Sequence, residues 1–128
     1  MRFIVTLLTM LFYGTANAAW DKAGRLESAT AYIDISSIKK VNNIVTMKHL
    51  FDNDKAKIVS GQQVWSDVSI SEYNCDTKMY RTIGFSLYSE RMGEGKKLYQ
   101  SDKRKDWEQV IGFNEWAWKV ACGYIRKN

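Results

Sequence analysis

"SEYNCDTKMYR", residues 71–81, places Cys75 between two strand-like runs. The only other cysteine is Cys122, and the only histidine is His49. A structural zinc site needs four ligands of the Cys or His type, and a redox motif keeps its two thiols close together in sequence. The pair therefore predicts either a disulfide or two separate buried thiols, and the cellular compartment decides between them.

The first eighteen residues predict a signal peptide. Arg2 supplies the positive start, residues 3–13 are apolar and uncharged, and Ala16-Asn17-Ala18 has the small-x-small pattern of a cleavage site. The apolar run is too short for a full membrane span. No cysteine stands directly after this run, so we expect neither a lipid anchor nor a membrane anchor after cleavage. The alternative is an N-terminal helix that stays attached.

Export decides the question of the cysteines. In an oxidising compartment two cysteines persist as a bridge far more often than as thiols. We therefore predict a Cys75–Cys122 disulfide. The rest of the chain, residues 19–128, is one domain's worth of sequence without a proline. The full sequence has a formal charge of +5, and residues 19–128, which lack Arg2, have one positive charge less; this mildly favours anionic partners.

The pattern along the chain is mainly β. Alternating apolar residues predict strands at 30–38, 43–51, 64–73, 78–89 and 96–100. In the strand at 78–89, Met79, Ile83, Phe85 and Leu87 are expected on one face. Asn42-Asn43 and residues 92–95 are typical of turns, and the polar stretch DNDKAKIVSG (52–61) indicates a loop. Short connections between consecutive strands predict an antiparallel meander.

The C-terminal part changes to a helical period. Its apolar stripe consists of Phe113, Trp116, Ala117, Val120, Ala121 and Tyr124. Asn114 is the expected N-cap, and Gly123 the expected C-terminal stop. The predicted fold class is therefore α+β, mainly β: a small antiparallel meander with a C-terminal α-helix packed on it and one disulfide.

Residues that could carry catalysis are sparse. His49 lies in an alternating strand without a nucleophile beside it, which favours a structural histidine over a catalytic base. The stretch DND at 52–54 lacks the glycine and distal glutamate of a calcium loop. We expect no catalytic residues, no metal site and no cofactor.

Residues 96–107, the basic segment, are the one candidate binding site. The side chains are those of Lys96, Lys97, Tyr99, Lys103, Arg104, Lys105 and Trp107. Clustered cations beside aromatic rings favour an acidic protein or glycan ligand, and no nucleic acid is expected. The alternative is that these lysines only protect a strand edge from aggregation.

Several stretches together resemble one family. AYIDISSI (31–38), SEYNCD (71–76) and YRTIGFSLYSERMGEGKKL (80–98) are followed by Trp107, Val110 and a final cysteine in a helix. This order and spacing resemble the surface-adhesin E domain of Gram-negative bacteria. The resemblance implies a small antiparallel β structure with a disulfide-linked C-terminal helix. It also implies an adhesin that binds host extracellular-matrix and serum proteins.

Together these observations favour a non-enzymatic, exported binding domain, located in the periplasm, secreted or associated with the outer surface. The alternative is a soluble periplasmic accessory protein whose partner is another bacterial protein. A small hydrolase is the least supported hypothesis. A homodimer is compatible with the sequence.

The first prediction concerns processing. Because a small-x-small pattern closes the apolar run, the mature N-terminus should be Ala19. Intact-mass analysis of the exported protein measures this directly. A mass that still includes Met1, or one that carries a fatty-acyl increment, would contradict it.

Overall fold

The structure, a computed structural model, describes residues 20–125. The predicted signal peptide (1–18) lies outside the described residues. Within them the chain forms seven strands, one 3₁₀ turn at Arg91–Gly93 and one α-helix. The strands are β1 Asp21–Arg25, β2 Ala29–Val41, β3 Ile44–Val59, β4 Gln62–Asn74, β5 Met79–Tyr88, β6 Lys97–Ser101 and β7 Glu108–Gln109; the helix, α1, is Phe113–Ala121.

The strands form one antiparallel sheet in the order β1-β2-β3-β4-β5-β6, and β7 pairs with β5 beside β6. This confirms the predicted meander. Two-residue turns explain it: Asn42, at φ 57°, closes β2–β3, and Ser60-Gly61, at φ 49° and 76°, closes β3–β4. Positive φ is what such hairpin turns require, and Asn and Gly adopt it most readily.

The prediction of a loop at residues 52–61 is wrong. The strand β3 continues to Val59 and pairs with β4 from Lys57–Val64 to Val59–Gln62. The pairing register shifts between Asp52 and Lys57, so a bulge interrupts the ladder there. Most side chains of this hairpin end are exposed, and a strand without a buried face does not need the apolar alternation used to recognise strands.

A second bulge affects the expected face of β5. The pairing Ile70–Gly84 is followed by Ser71–Thr82, so Ile83 is an extra residue in the ladder. A bulge breaks the strict alternation of side chains. The apolar residues of β5 before and after Ile83 therefore do not follow the single alternation that the sequence pattern assumed.

The core lies between one face of the sheet and α1. Strands β2, β3 and β4 supply apolar side chains that are completely buried, and α1 covers them. The members of this cluster are Ile33, Val45, Met47, Tyr73, Val110, Ala117, Trp118, Val120 and Ala121. Burial of each large apolar side chain contributes roughly 1.5–3 kcal/mol.

The ends of α1 differ in how well the sequence predicted them. Asn114 is not the N-cap: Gly112 takes that position, at φ 56°, without a side-chain cap. The predicted stop at Gly123 is confirmed. Gly123 has φ 81°, its N–H bonds Val120 O, and the Tyr124 N–H bonds Lys119 O at 2.8 Å. These two bonds are the Schellman arrangement.

The buried stripe of α1 also differs in part from the prediction. Trp118, outside the expected stripe, is only 7% exposed, whereas Tyr124 is 67% exposed. The Trp118 indole N–H donates to Asn74 O at 2.8 Å. A hydrogen bond to a carbonyl at the end of β4 therefore directs this ring towards the sheet.

The predicted disulfide is confirmed. Cys75 and Cys122 are bonded, with their Cα atoms 5.7 Å apart and a sequence separation of 47. Cys75 directly follows β4, and Cys122 is the C-cap of α1. The bridge therefore joins the end of the central hairpin to the end of the helix.

The second prediction concerns this bridge. Closing a loop of roughly 48 residues lowers the entropy of the unfolded chain and stabilises the fold by about 4 kcal/mol. We expect three changes to have the same effect: reduction of the bridge, Cys75→Ser and Cys122→Ser. Each should lower the melting temperature by about 4–8 °C for every kcal/mol of unfolding free energy that is lost. Hydrogen exchange should show the amides of α1 opening first. The double variant should be no less stable than either single one; free thiols in the unreduced folded protein would contradict the prediction.

Candidate ligand-binding surface

The basic segment runs along the outer edge of β5. Its first half is β6, which pairs with Phe85–Tyr88. Residues 102–107 have no regular structure, but the Lys105 N–H donates to Thr82 O at 2.9 Å. Strand β7 then pairs with Met79 and Tyr80. The whole segment is thus fastened to one strand by its backbone, and its side chains are displayed along the sheet edge.

A bulge at Leu98 divides the side chains of β6 between the two faces of the sheet. Tyr99 pairs with Leu87 and Lys97 with Tyr88, which leaves Leu98 as the extra residue. Tyr99, 54% exposed, lies beside Phe85 with ring centroids 5.6 Å apart. Lys97 instead lines a groove of about 200 Å³ with Lys48, Ile70 and Gln100. The segment therefore presents groups on both faces.

Arg104 and Trp107 are held in a cluster with two residues of the sheet. Glu72 Oε1 accepts from Arg81 Nε at 2.9 Å and from Arg104 Nη1 at 3.0 Å. The Arg81 guanidinium lies over the Trp107 ring, 4.3 Å from its centroid. Glu72 is only 14% exposed, and the charge-assisted hydrogen bonds of a carboxylate shared by two guanidinium groups are stronger than hydrogen bonds between neutral groups.

Sequence reasoning missed Glu72 and Arg81 as members of this cluster. They face each other in the ladder between β4 and β5, two pairs away from the turn. Opposite charges at equal distances from a hairpin turn are a signal that the sequence does contain, since directly opposed side chains in an antiparallel pair interact.

The remaining lysines are solvated. Lys96, Lys103 and Lys105 are exposed, and within residues 20–125 none of them forms an ion pair or a side-chain hydrogen bond. In the same part of the chain, the Lys97 side chain donates only to Gln100 Oε1, at 3.4 Å. The four ammonium groups are therefore available to an anionic partner, with Asp102 and Asp106 as the opposing charges of the segment.

His49 is buried in the core-facing side of β3. Its Nε2 lies 3.1 Å from Ser71 Oγ, and its ring lies against Phe51 and Phe113. Burial lowers its pKa to about 4. A neutral imidazole enclosed by aromatic rings has no access for a substrate, so this histidine is a core residue. Among residues 20–125 no three His, Cys, Asp or Glu side chains are grouped to hold a metal ion.

Comparison with models of known families assigns the chain to one of them. The family model described as surface-adhesin protein E matches residues 20–123. The chain belongs to the surface-adhesin protein E family. It is thus an adhesin-like protein, and the family is one of binding proteins. No curated protein matches the chain in sequence.

Solved structures of protein E from Haemophilus influenzae share the fold. Crystal form II superposes with a TM-score of 0.61 at 20% identity, over 73% of this chain and 80% of that chain. The selenomethionine form gives 0.60 at 17%, over 80% and 92%. Protein E from the non-typeable organism gives 0.59 at 18%, over 77% and 69%. Among the described residues of this family member, no helix is long and apolar enough to span a membrane.

The third prediction concerns the acid stability of this adhesin-family domain. The unfolded chain has a histidine pKa near 6.5, so between pH 6.5 and 4 only the unfolded state binds a proton at His49. The free energy of unfolding should fall through this window by on the order of 3 kcal/mol from this residue. His49→Gln should remove that loss in urea titrations between pH 7 and 4.

Asp67 provides the control, because its contribution has the opposite sign. Burial raises the pKa of Asp67 to about 6, while Lys57 opposes the shift. The folded state therefore binds a proton more readily there, and stability rises as the pH falls from 6 to 4. Asp67→Asn should make the domain more sensitive to acid. Equal pH profiles for His49→Gln and the wild type would contradict the assignment.

Proposed function

We propose that this protein is an exported adhesin that recognises an acidic protein or glycan through the basic segment. The observation that carries the proposal is the set of solvated ammonium groups of Lys96, Lys97, Lys103 and Lys105, arranged along one strand edge. Membership of a surface-adhesin family supports a binding role. We further propose that its ligands are host extracellular-matrix or serum proteins.

The physical basis of the proposed recognition is a fixed backbone with mobile charges. The Glu72–Arg81–Arg104 cluster and the Lys105–Thr82 hydrogen bond anchor the segment, so binding does not have to order its backbone. The lysines keep their long side chains free and attract anions at a distance. The exposed ring of Tyr99 offers contact area at low entropic cost. Such a surface favours fast, salt-sensitive binding.

A periplasmic accessory protein is the alternative proposal. The Cys75–Cys122 disulfide is compatible with it, because the periplasm is an oxidising compartment. Protease added to intact cells separates the two proposals. Digestion of the protein supports surface display, whereas protection until the outer membrane is opened supports the periplasmic role.

The fourth prediction tests the basic segment. Replacing Lys96, Lys97, Lys103 and Lys105 by Ser should weaken binding to a sulfated polysaccharide such as heparin, or to an acidic serum protein, by at least roughly tenfold at low salt. Raising the salt concentration should remove the difference, because exposed charges are screened. Arg104 is left in place so that its bond to Glu72 keeps the segment folded. Surface plasmon resonance measures both effects.

A matched control has the same change of charge elsewhere. Lys39, Lys40, Lys55 and Lys57 are also exposed and lie on β2 and β3. Their replacement by Ser should change the affinity much less. If the two fourfold variants bind equally, or if the segment variant binds as the wild type does, the lysines serve only solubility.

A further inference from the structure

The loop at residues 89–95 is built on a buried carboxylate. Asp52 is 8% exposed, and its side chain accepts the Met92 N–H at 2.9 Å and Arg91 Nη1 at 3.2 Å. Met92 is held at φ 58°, a backbone angle that residues other than glycine rarely adopt. A strained conformation fixed by buried polar groups is characteristic of sites where geometry matters.

A buried hydroxyl and a close packing contact complete the support. Ser66, fully buried, donates to Glu90 O at 2.6 Å and accepts from the Gly93 N–H at 2.8 Å. A methyl group on Gly93 would lie 3.2 Å from side-chain carbons of Leu50 and Val68. The loop therefore sits directly on the sheet, and hydrogen bonds to Asp52 and Ser66 fix its conformation.

The loop presents Arg91 against an aromatic ring. The guanidinium lies over Trp65, 4.9 Å from the ring centroid, and Nη2 donates to Asp54 O at 3.2 Å. A guanidinium has five N–H donors, and the bonds to Asp52 and Asp54 use two of them. Among residues 20–125 the others have no partner, on a side chain that is 53% exposed. Within the described part of the chain the Trp65 indole N–H has no partner either.

Hydrogen-bond acceptors stand around the same space. Trp65, Ser89, Glu90, Arg91 and Glu94 line an open cavity of about 540 Å³. Glu90 and Glu94 are exposed, and their carboxylates have no partner among residues 20–125. The cavity thus combines an aromatic surface with the fixed donors of Arg91 and two unpaired carboxylate acceptors, the composition of a site that orients a small polar ligand.

We propose that this cavity binds a neutral carbohydrate unit. Each sugar hydroxyl both donates and accepts hydrogen bonds, as a serine hydroxyl does, and so matches Arg91 and the two carboxylates at once. The part of the half-buried Trp65 indole that Arg91 does not cover offers an apolar surface beside its free N–H, which suits the C–H groups and the hydroxyls of a sugar ring. A volume of about 540 Å³ accommodates one or two such rings.

The charges select against other ligands. Unpaired Glu90 and Glu94 repel sulfated and sialylated sugars, in contrast to the lysines of the basic segment. A basic peptide would meet Arg91 within the cavity, because that guanidinium already occupies the cation position over Trp65. The neutral sugar is therefore favoured. The site shares no residue with the basic segment, so it does not depend on the proposed recognition of an acidic ligand.

The test is direct binding of the mature, disulfide-bonded protein to an array of neutral oligosaccharides. The neutral oligosaccharides are built from glucose, galactose, mannose and N-acetylglucosamine. Their sulfated and sialylated counterparts and a decalysine peptide are tested beside them as the alternative ligands. We expect binding to at least one neutral oligosaccharide, insensitive to salt. Glu90→Ala with Glu94→Ala should weaken it by roughly tenfold or more, since each lost charge-assisted hydrogen bond is large. Trp65→Leu should abolish it.

Controls separate the site from the fold and from the basic segment. Glu27→Ala removes another exposed carboxylate without a partner in residues 20–125 and should leave binding unchanged. The fourfold lysine variant should do so too. The two glutamates are exposed, so their replacement tests the site even if Trp65→Leu unfolds. Binding only to anionic sugars, only to decalysine, to none of the probes, or undiminished in the glutamate variant would overturn the proposal.

Discussion

The Cys75–Cys122 bridge is the constraint on which the arrangement of the core depends. A helix of nine residues is marginal without tertiary support, and a sheet needs a cover for its apolar face. The bridge fixes the C-terminus of the helix beside the end of β4, where the Trp118 indole bonds Asn74 O. Once held there, the helix closes over Val45 and Met47, and its own short stripe is sufficient to complete the core.

The opposite face of the sheet is covered by a loop instead of a helix. Leu50 and Val68 face each other in the ladder, and alternation along β3 directs Leu50 away from the helix side. The 89–95 loop covers them, with Gly93 in close contact. Instead of apolar packing and a covalent bond, buried Asp52 and Ser66 hold this cover by hydrogen bonds. If the loop moved away, the buried side chains of Asp52 and Ser66 would lose these hydrogen bonds, and an unpaired buried polar group is costly. The loop therefore has little freedom to move.

Local patterns predicted the meander, the Asn42 turn, the Gly123 stop and the disulfide, because turn conformations and cysteine pairing depend on a few residues at known spacing. The errors lie where the ladder is irregular. Residues 52–61 look like a loop because an exposed hairpin end has no apolar face, and the bulge at Leu98 separates Lys97 from Tyr99 although their spacing suggests one face. Trp118 is buried where its indole N–H bonds a carbonyl at the end of β4, a contact that helical periodicity does not record.

The candidate sites were less predictable than the fold for the same reason. The basic segment is a contiguous cluster of charge and is visible in the sequence, but Glu72 removes Arg104 from the available cations. The cavity at Trp65 is assembled from residues of β4 and the 89–95 loop, and no local pattern links them. The two surfaces also follow different physics. Solvated lysines attract partners over a distance and lose strength with salt, whereas a preorganised cavity selects by shape and hydrogen bonding. A protein that carries both can combine rapid capture by charge with selection by contact.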